Sequence, residues 1–243
     1  MRTNILLIHT DQHRADCLGV AGNPDIQTPN IDALAAEGVH YTNHFCTYPV
    51  CTPSRTSLLT GLYCHQHGVL GNSGTLAPGL ATFPRILRDA GYRTTAIGKM
   101  HFNPTYLDVG FDRMLLAEQC GPGHLDDDYH RGLMAEDLWD VEDTQDQVFE
   151  YRQHASAGYW QSTGAIESSL DEAHSATTWI GDRAVEELGD WGQDGNLLMV
   201  GFIKPHHPHD PPAPWSSMYD PQALTLLPGW TEECLPRDIE NSR

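Results

Sequence analysis

The order of apolar segments in this sequence predicts an α/β fold. Segments typical of buried strands alternate with segments that have the periodicity of amphipathic helices, an order that suits helices packed on a sheet. The strand-like runs are short and apolar on both faces, as in central strands of parallel sheets. Polar residues follow each run, and open α/β sheets bind ligands at the carboxyl ends of their strands. The 243 residues are enough for one large domain.

Each predicted element has a recognisable end. The predicted strands cover residues 4–10, 94–97 and 196–203, with a further short strand at 39–45, where apolar residues alternate loosely. The predicted helices cover residues 28–38, 52–61, 83–90 and 171–188, with a glycine at the end of each pattern.

The charge balance narrows the classes of partner. The net charge is −19, from 14 Lys and Arg against 33 Asp and Glu. Such a surface argues against nucleic acid and anionic membranes, and it requires any anion site to be locally basic. The first apolar run is too short for a signal peptide, and no run is long enough to cross a membrane. A cytoplasmic protein is therefore expected, with most of its six cysteines reduced and buried.

The segment from Cys51 to Gly61 lies where a loop is predicted to enter a helix. Thr52 is the expected N-cap and Pro53 the first helical residue, where its missing N–H costs nothing. These helix signals leave Cys51 and Arg55 unexplained. Because a helix N-terminus attracts anions and a guanidinium suits a tetrahedral oxyanion, Cys51 and Arg55 are candidates for one anion site.

Two of the predicted strand ends carry further candidates. Asp11, followed by Gln12, is a possible metal ligand, although taken alone Asp11 is better explained as a cap of the next turn. Lys99 and His101 are two residues apart on an extended segment and so point to the same side. Without other information they would be a surface lysine beside a partly buried histidine.

The third strand end is rich in histidine and proline. Lys204 precedes three histidines within four residues, at positions 206, 207 and 209, and the neighbouring prolines forbid a helix. Imidazole suits zinc, so a transition-metal site is one interpretation, although no two of these histidines are one helical turn apart.

Together these motifs resemble the type I, formylglycine-dependent sulfatases of the alkaline phosphatase superfamily. That family's signature is Cys or Ser-x-Pro-Ser-Arg followed by Thr-Gly, which residues 51–61 match. Residues 28–39 are similar to the family's first helix, residues 98–101 to its Gly-Lys-x-His element and residues 204–208 to its Lys-Pro-His-x-Pro element. The resemblance covers about residues 4–214 and implies a largely parallel sheet sandwiched by helices.

The resemblance also implies roles for individual residues. Those implied to be catalytic are Cys51, Arg55, His101 and His206, with His207 in place of His206 if the register slips. Those implied to bind the sulfate group are Lys99 and Lys204. Those implied to hold a divalent metal, most often Ca²⁺ with Mg²⁺ or Mn²⁺ as alternatives, are Asp11, Gln12 and residue 51. Gln12 replaces an acid of the family, as in a branch that includes choline-sulfatase-like and phosphonate-monoesterase-like members.

The family's chemistry suits these positions. A separate maturation enzyme would oxidise Cys51 to formylglycine, and one hydroxyl of its hydrate would attack the sulfur of a small sulfate ester. His206 would protonate the leaving alcohol, and His101 would accept the proton of the second hydroxyl as sulfate leaves. The alternatives are a phosphonate or phosphate ester hydrolase on the same scaffold, favoured by Gln12, and a catalytically inactive fragment.

Residues 1–243 are expected to form the N-terminal catalytic part of such a protein, truncated at its C-terminus. Residues of about 118–170 form an acidic insertion, either a solvated face or a substrate-specific segment. After Pro214 no Asp-Asn or Asp-His pair follows an apolar strand, although the family draws metal ligands from such a pair. Calcium takes about six to eight oxygen ligands. Weak metal binding, little turnover and an exposed apolar sheet edge are therefore expected.

Overall fold

One parallel sheet organises the chain. A computed structural model describes residues 2–119, 126–138, 165–192 and 194–225. Its strands are β1 (Ile5–Thr10), β2 (Arg93–Gly98), β3 (Arg113–Leu116) and β4 (Asn196–Phe202). They lie in the order β1-β4-β2-β3, and every neighbouring pair is parallel. The predicted α/β class and three of the predicted strands are confirmed, whereas β3 was not predicted.

Helices cover both faces of this sheet. Among the described residues the α-helices are α1 (Pro29–Glu37), α2 (Cys51–Thr60), α3 (Cys64–His67), α4 (Phe83–Asp89), α5 (Asp128–Ala135) and α6 (Ala176–Gly189). On one face, α2 and α4 pack with sheet residues such as Leu197 and Met199. On the other face, α5 and α6 pack with Leu198 and Val200. The predicted sandwich of helices around a sheet is therefore confirmed.

The position of β1 corrects one prediction. Among the described strands β1 lies at the edge of the sheet, so its prediction as a central strand is wrong. Its side chains alternate between half-buried and exposed, and Leu6 and Ile8 keep 43% and 56% of their surface exposed. The central strand beside it is β4, which is buried from Asn196 to Gly201. The expected exposed apolar edge is thus present at β1.

Three local predictions are wrong. No strand forms at residues 39–45, where Val39, Tyr41 and Phe45 are exposed and no described strand pairs with the segment. The helix predicted to be capped by Thr52 and to begin at Pro53 begins at Cys51, two residues earlier. The helix predicted from residue 171 begins at Ala176, after a separate 3-10 turn. Residues 139–164, the middle of the predicted acidic insertion, lie outside the described residues.

The ends of β2 and β4 approach each other unusually closely. Gly98 has a φ of +87°, and a Cβ built on it would lie 2.2 Å from the carbonyl oxygen of Gly201. The backbone N–H of Lys99 donates to that same oxygen at 2.7 Å. Only glycine tolerates this backbone and this distance. The contact fixes Lys99 at the carboxyl end of the sheet, beside the loop that follows β4.

Candidate active site

Asp11, directly after β1, is the centre of a buried charged cluster. Its Oδ2 lies 2.7 Å from Lys99 Nζ and 3.2 Å from Arg55 Nη2. Its Oδ1 lies 3.9 Å from the Sγ atom of Cys51. Lys99 is completely buried and Arg55 is 6% exposed, and Arg55 also donates to the carbonyl of Lys99. Two buried cations thus share one carboxylate, which leaves an excess of positive charge beside Cys51.

The first turn of α2 places Cys51 and Arg55 in this cluster. Cys51 opens the helix, and Arg55 follows one turn later. The Thr52 N–H donates to Asn72 Oδ1 at 3.1 Å, and the Thr52 hydroxyl donates to the His101 carbonyl at 3.0 Å. Thr52, which was predicted to cap the helix, instead ties α2 to the loop after β2. Because Thr52 uses its N–H in this way, Ser54 donates to the Val50 carbonyl and Pro53 has no N–H, anion binding here depends on the two cations rather than on a free helix end.

The cluster controls the protonation of its acid and its thiol. Burial opposes ionisation of Asp11, but the charges of Lys99 and Arg55 outweigh it and lower the Asp11 pKa to about 2. Burial raises the pKa of the Cys51 thiol, although the charge of Lys99 acts in the opposite direction. Asp11 is therefore ionised at neutral pH while Cys51 is protonated, and a protonated thiol is a weak nucleophile.

The histidines of the site are neutral at neutral pH. Burial, aided by the Lys99 charge, lowers the pKa of His101 to about 3 and that of His206 to about 4. His9, which was not predicted, lies on the same side of β1 as Asp11, and burial with the nearby Arg55 lowers its pKa to about 3. A neutral imidazole accepts a proton or binds a metal. At neutral pH His206 therefore lacks the proton that its predicted acid role requires, and His101 is unprotonated, as its predicted acceptor role requires.

Two further side chains of the site were not predicted. Glu118 and Gln119 follow β3, and both are 1% exposed. The Glu118 carboxylate accepts the backbone N–H groups of Met100 and His101 at 2.9 Å each, and Gln119 Oε1 accepts from Lys99 Nζ at 3.0 Å. Burial raises the pKa of Glu118 to about 7, against the effect of these backbone donors.

Lys204 is the predicted site residue that the structure places apart from Asp11. Its ammonium pairs with Asp210 and donates to the Pro208 carbonyl at 2.6 Å. Its side chain lines a neighbouring, mostly apolar cavity of about 460 Å³. Its contact with sulfate therefore stays a prediction that requires its release from Asp210.

Asp11, Cys51 and His206 converge closely enough to share a metal ion. One ligand atom from each lies within 4.8 Å of the other two. This mixture of oxygen, sulfur and nitrogen suits a transition metal better than Ca²⁺, which prefers oxygen. Hydroxyl groups in place of the thiol at position 51, together with Gln12, would make the set richer in oxygen. The residues thus fit a divalent metal held by Asp11, but they do not select calcium.

A cavity gives these groups access to a small molecule. Its volume is about 730 Å³, within the range of small-molecule sites. The predicted residues on its wall are Asp11, Gln12, Cys51 and Arg55. Histidines 9, 13 and 44 also line it, as does Tyr63. No helix within the described ranges combines the length and apolar character needed to cross a membrane.

The fold and the site define an α/β protein with a buried cationic pocket beside a cysteine, and comparison with known proteins identifies its family. The family model described as Sulfatase matches residues 3–223. An arylsulfatase from Clostridium perfringens is 30% identical over 257 residues, covering 99% of this chain and 51% of the relative. The chain belongs to the sulfatase family, and it spans about half the length of this relative.

Solved structures support the same assignment of fold. The phosphonate monoester hydrolase of Agrobacterium radiobacter has a TM-score of 0.73 at 24% identity, with coverage of 93% of this chain and 45% of that one. The structure of BT4656 in complex with its substrate, D-glucosamine-2-N,6-O-disulfate, has a TM-score of 0.58 at 25% identity. The match covers 85% of this chain and 35% of that one. The fold is therefore that of the sulfatases and phosphonate hydrolases of the alkaline phosphatase superfamily.

Proposed function

We propose that this chain forms the part of a sulfuric ester hydrolase that carries the nucleophile and binds the sulfate group. The observation behind the proposal is the placement of two buried cations, Lys99 and Arg55, beside Cys51 at the start of α2. In a chain of net charge −19, such a site selects a small anion at short range. The names of the relatives, an arylsulfatase and an ulvan-active sulfatase among them, support sulfate esters as the substrate class.

The pattern of Cys51, Pro53 and Arg55 supports the conversion of Cys51 to formylglycine, and burial, which raises the pKa of the unmodified thiol, makes that thiol a weak nucleophile at neutral pH. The proposed partners are a small sulfate ester and a maturation enzyme that recognises Cys51, Pro53 and Arg55. Neither nucleic acid nor membrane is proposed as a partner, and the proposed location is the cytoplasm.

The remaining residues then have separate tasks. Lys99 and Arg55 neutralise the sulfate oxygens as charge builds up on them. His101, neutral at the pH of the reaction, accepts a proton from residue 51. A divalent metal would be held by Asp11, Gln12 and residue 51. Ca²⁺ is the proposed ion, with Mg²⁺ or Mn²⁺ as alternatives. When bound, it supplies a Lewis acid for the sulfate group.

The test combines a mass measurement with turnover. The chain is produced with and without a formylglycine-generating enzyme, and the mass of the peptide containing Cys51 is measured. Hydrolysis of an aryl sulfate is then followed with Ca²⁺ and after chelation, with Cys51→Ala as the matched control. Turnover that requires both maturation and metal supports the proposal. A matured, metal-loaded chain that matches Cys51→Ala would refute activity of this chain and support the inactive-fragment alternative.

Phosphonate ester hydrolysis is the second candidate. Gln12, in place of an acid, lowers the negative charge of the proposed metal site, as in the phosphonate-monoesterase-like branch. The phosphonate monoester hydrolase from Silicibacter pomeroyi, with a TM-score of 0.68 at 25% identity, supports it. The ratio of kcat/KM for an aryl sulfate to kcat/KM for an aryl phosphonate monoester decides between the two candidates.

A further inference from the structure

The buried pair Glu118 and Gln119 links three segments of the site. The pair lies one residue beyond the end of β3, and its hydrogen bonds reach the loops after β2 and β4. In turn, the Glu118 N–H donates to Asp127 Oδ2 at 2.6 Å. Asp127 is itself completely buried. A buried polar side chain is costly unless its hydrogen bonds are satisfied, so the pair needs a reason to be there.

Glu118 holds the backbone at His101. His101 has a φ of +56°, in the left-handed region that a residue with a side chain rarely adopts. Such a conformation persists only where the surroundings hold it. The Glu118 carboxylate accepts the N–H groups of Met100 and His101 together, and this dual contact fixes the peptide on which the His101 side chain depends.

Gln119 joins the ammonium of Lys99 to the loop after β4. Its Oε1 accepts from Lys99 Nζ, and its Nε2 donates to the His207 carbonyl. This arrangement uses the amide in one orientation, because only the oxygen can accept from an ammonium and only the nitrogen can donate to a carbonyl. Gln119 therefore sets both the direction of Lys99 and the spacing between the loops that carry Lys99 and His206.

We propose that Glu118 and Gln119 are positioning residues of the sulfate site, Glu118 for His101 and Gln119 for Lys99 and the His206 loop. The proposal rests on the proposed sulfatase function. It assigns no contact with substrate to either residue, since each acts through the groups that it holds.

The test uses Glu118→Gln and Gln119→Met, with Glu187→Gln as a matched control. Glu187 is also a buried glutamate, but its carboxylate pairs with Arg93 and Arg113 and not with groups of the site. For the matured, Ca²⁺-loaded chain, Gln119→Met should lower kcat/KM for an aryl sulfate by about 100-fold. Glu118→Gln should lower kcat by at least about tenfold with KM nearly unchanged. Glu187→Gln should lower Tm without changing kcat per folded molecule.

Hydrogen exchange provides a readout that does not depend on turnover. Exchange of the amides of residues 100 and 101 should accelerate in Glu118→Gln and stay unchanged in Glu187→Gln. Equal exchange in these two variants, or losses of kcat that only follow the folded fraction, would overturn the proposal. If the wild-type chain itself shows no turnover, the proposed function has failed, and the exchange result alone then decides the positioning role.

Discussion

Replacing Asp11 by asparagine removes the carboxylate that Lys99 and Arg55 share and keeps almost the same shape. Both cations are buried, so neither gains compensating contact with water. Lys99 keeps its bond to Gln119, and Arg55 keeps its bond to the Lys99 carbonyl. The variant should therefore be less stable than the wild type but still folded.

The pKa of Asp11 sets the lower bound of the effect. Its fall from 3.8 to about 2 corresponds to a net stabilisation of about 2 kcal/mol by the ionised form. Breaking a buried ion pair on one side costs roughly 3–5 kcal/mol. Because both cations keep one hydrogen bond, we expect a loss of about 2–4 kcal/mol at pH 7. Since the folded pKa is depressed, the stabilisation is complete above pH 3.8 and is lost as the pH falls through about 2.

Urea unfolding of the metal-free chain at several pH values measures this effect. The gap between wild type and Asp11→Asn should be constant from pH 5 to 7 and should shrink by about 1 kcal/mol at pH 3. Asp16→Asn is the control, because Asp16 forms an exposed pair with Arg14, and exposed ion pairs contribute little to stability. Sodium sulfate should stabilise Asp11→Asn more than the wild type, relative to chloride at equal ionic strength. Equal stability of Asp11→Asn and Asp16→Asn would refute the reasoning.

Two further predictions follow from burial. Pro53 is buried and Arg55 is 6% exposed within α2, so the folded chain hides them from a maturation enzyme. Such an enzyme should therefore convert Cys51 faster in an unfolded peptide of residues 45–61 than in the folded chain. Mass spectrometry measures the two rates, and equal rates would contradict the prediction. Ile8 is 56% exposed on β1, so Ile8→Lys should raise the solubility of the chain without lowering its Tm. Light scattering measures aggregation and thermal unfolding measures Tm. Unchanged aggregation would mean that the exposed side chains of β1 do not cause the aggregation.

The rule that ligands bind at the carboxyl ends of parallel strands predicted much of the site. The same rule explains why Glu118 and Gln119 were missed. Asp11 and Lys99 were predicted as candidates because apolar runs precede them, and the structure brings them to 2.7 Å. Glu118 and Gln119 also follow a strand, but β3 has four residues and begins with arginine, too weak a pattern to predict. Glu118 and Gln119 thus also lie at a strand end, but the strand is too short to be detected from its apolar pattern.

Other features depend on contacts that no local pattern encodes. An apolar run shows that a strand can be covered on both faces but not which elements cover it, so the edge position of β1 could not be read from Ile5–Thr10. Likewise, Lys204 pairs with Asp210 because the proline-rich loop turns back on itself. The pKa of His206 depends on Lys99, a residue on another strand end. Sequence spacing identified these residues, whereas their partners follow from the packed fold.

The metal and the sulfate group should assist each other's binding. Lys99 Nζ is 2.7 Å from Oδ2 of Asp11, and the Asp11 carboxylate would also hold a divalent ion. The positive charge of an ion held by Asp11 would weaken the pairing of this carboxylate with Lys99 and so make the Lys99 ammonium more available to an anion. By linkage, each ligand must then raise the affinity for the other by the same factor, at least about fivefold. Titration calorimetry of the formylglycine-containing chain with Ca²⁺, in sulfate and in chloride at equal ionic strength, measures this factor. Asp11→Asn should retain sulfate binding and lose the coupling. The same Ca²⁺ affinity in both salts would refute this coupling. It would show that pairing with Asp11 does not limit the binding of an anion by Lys99.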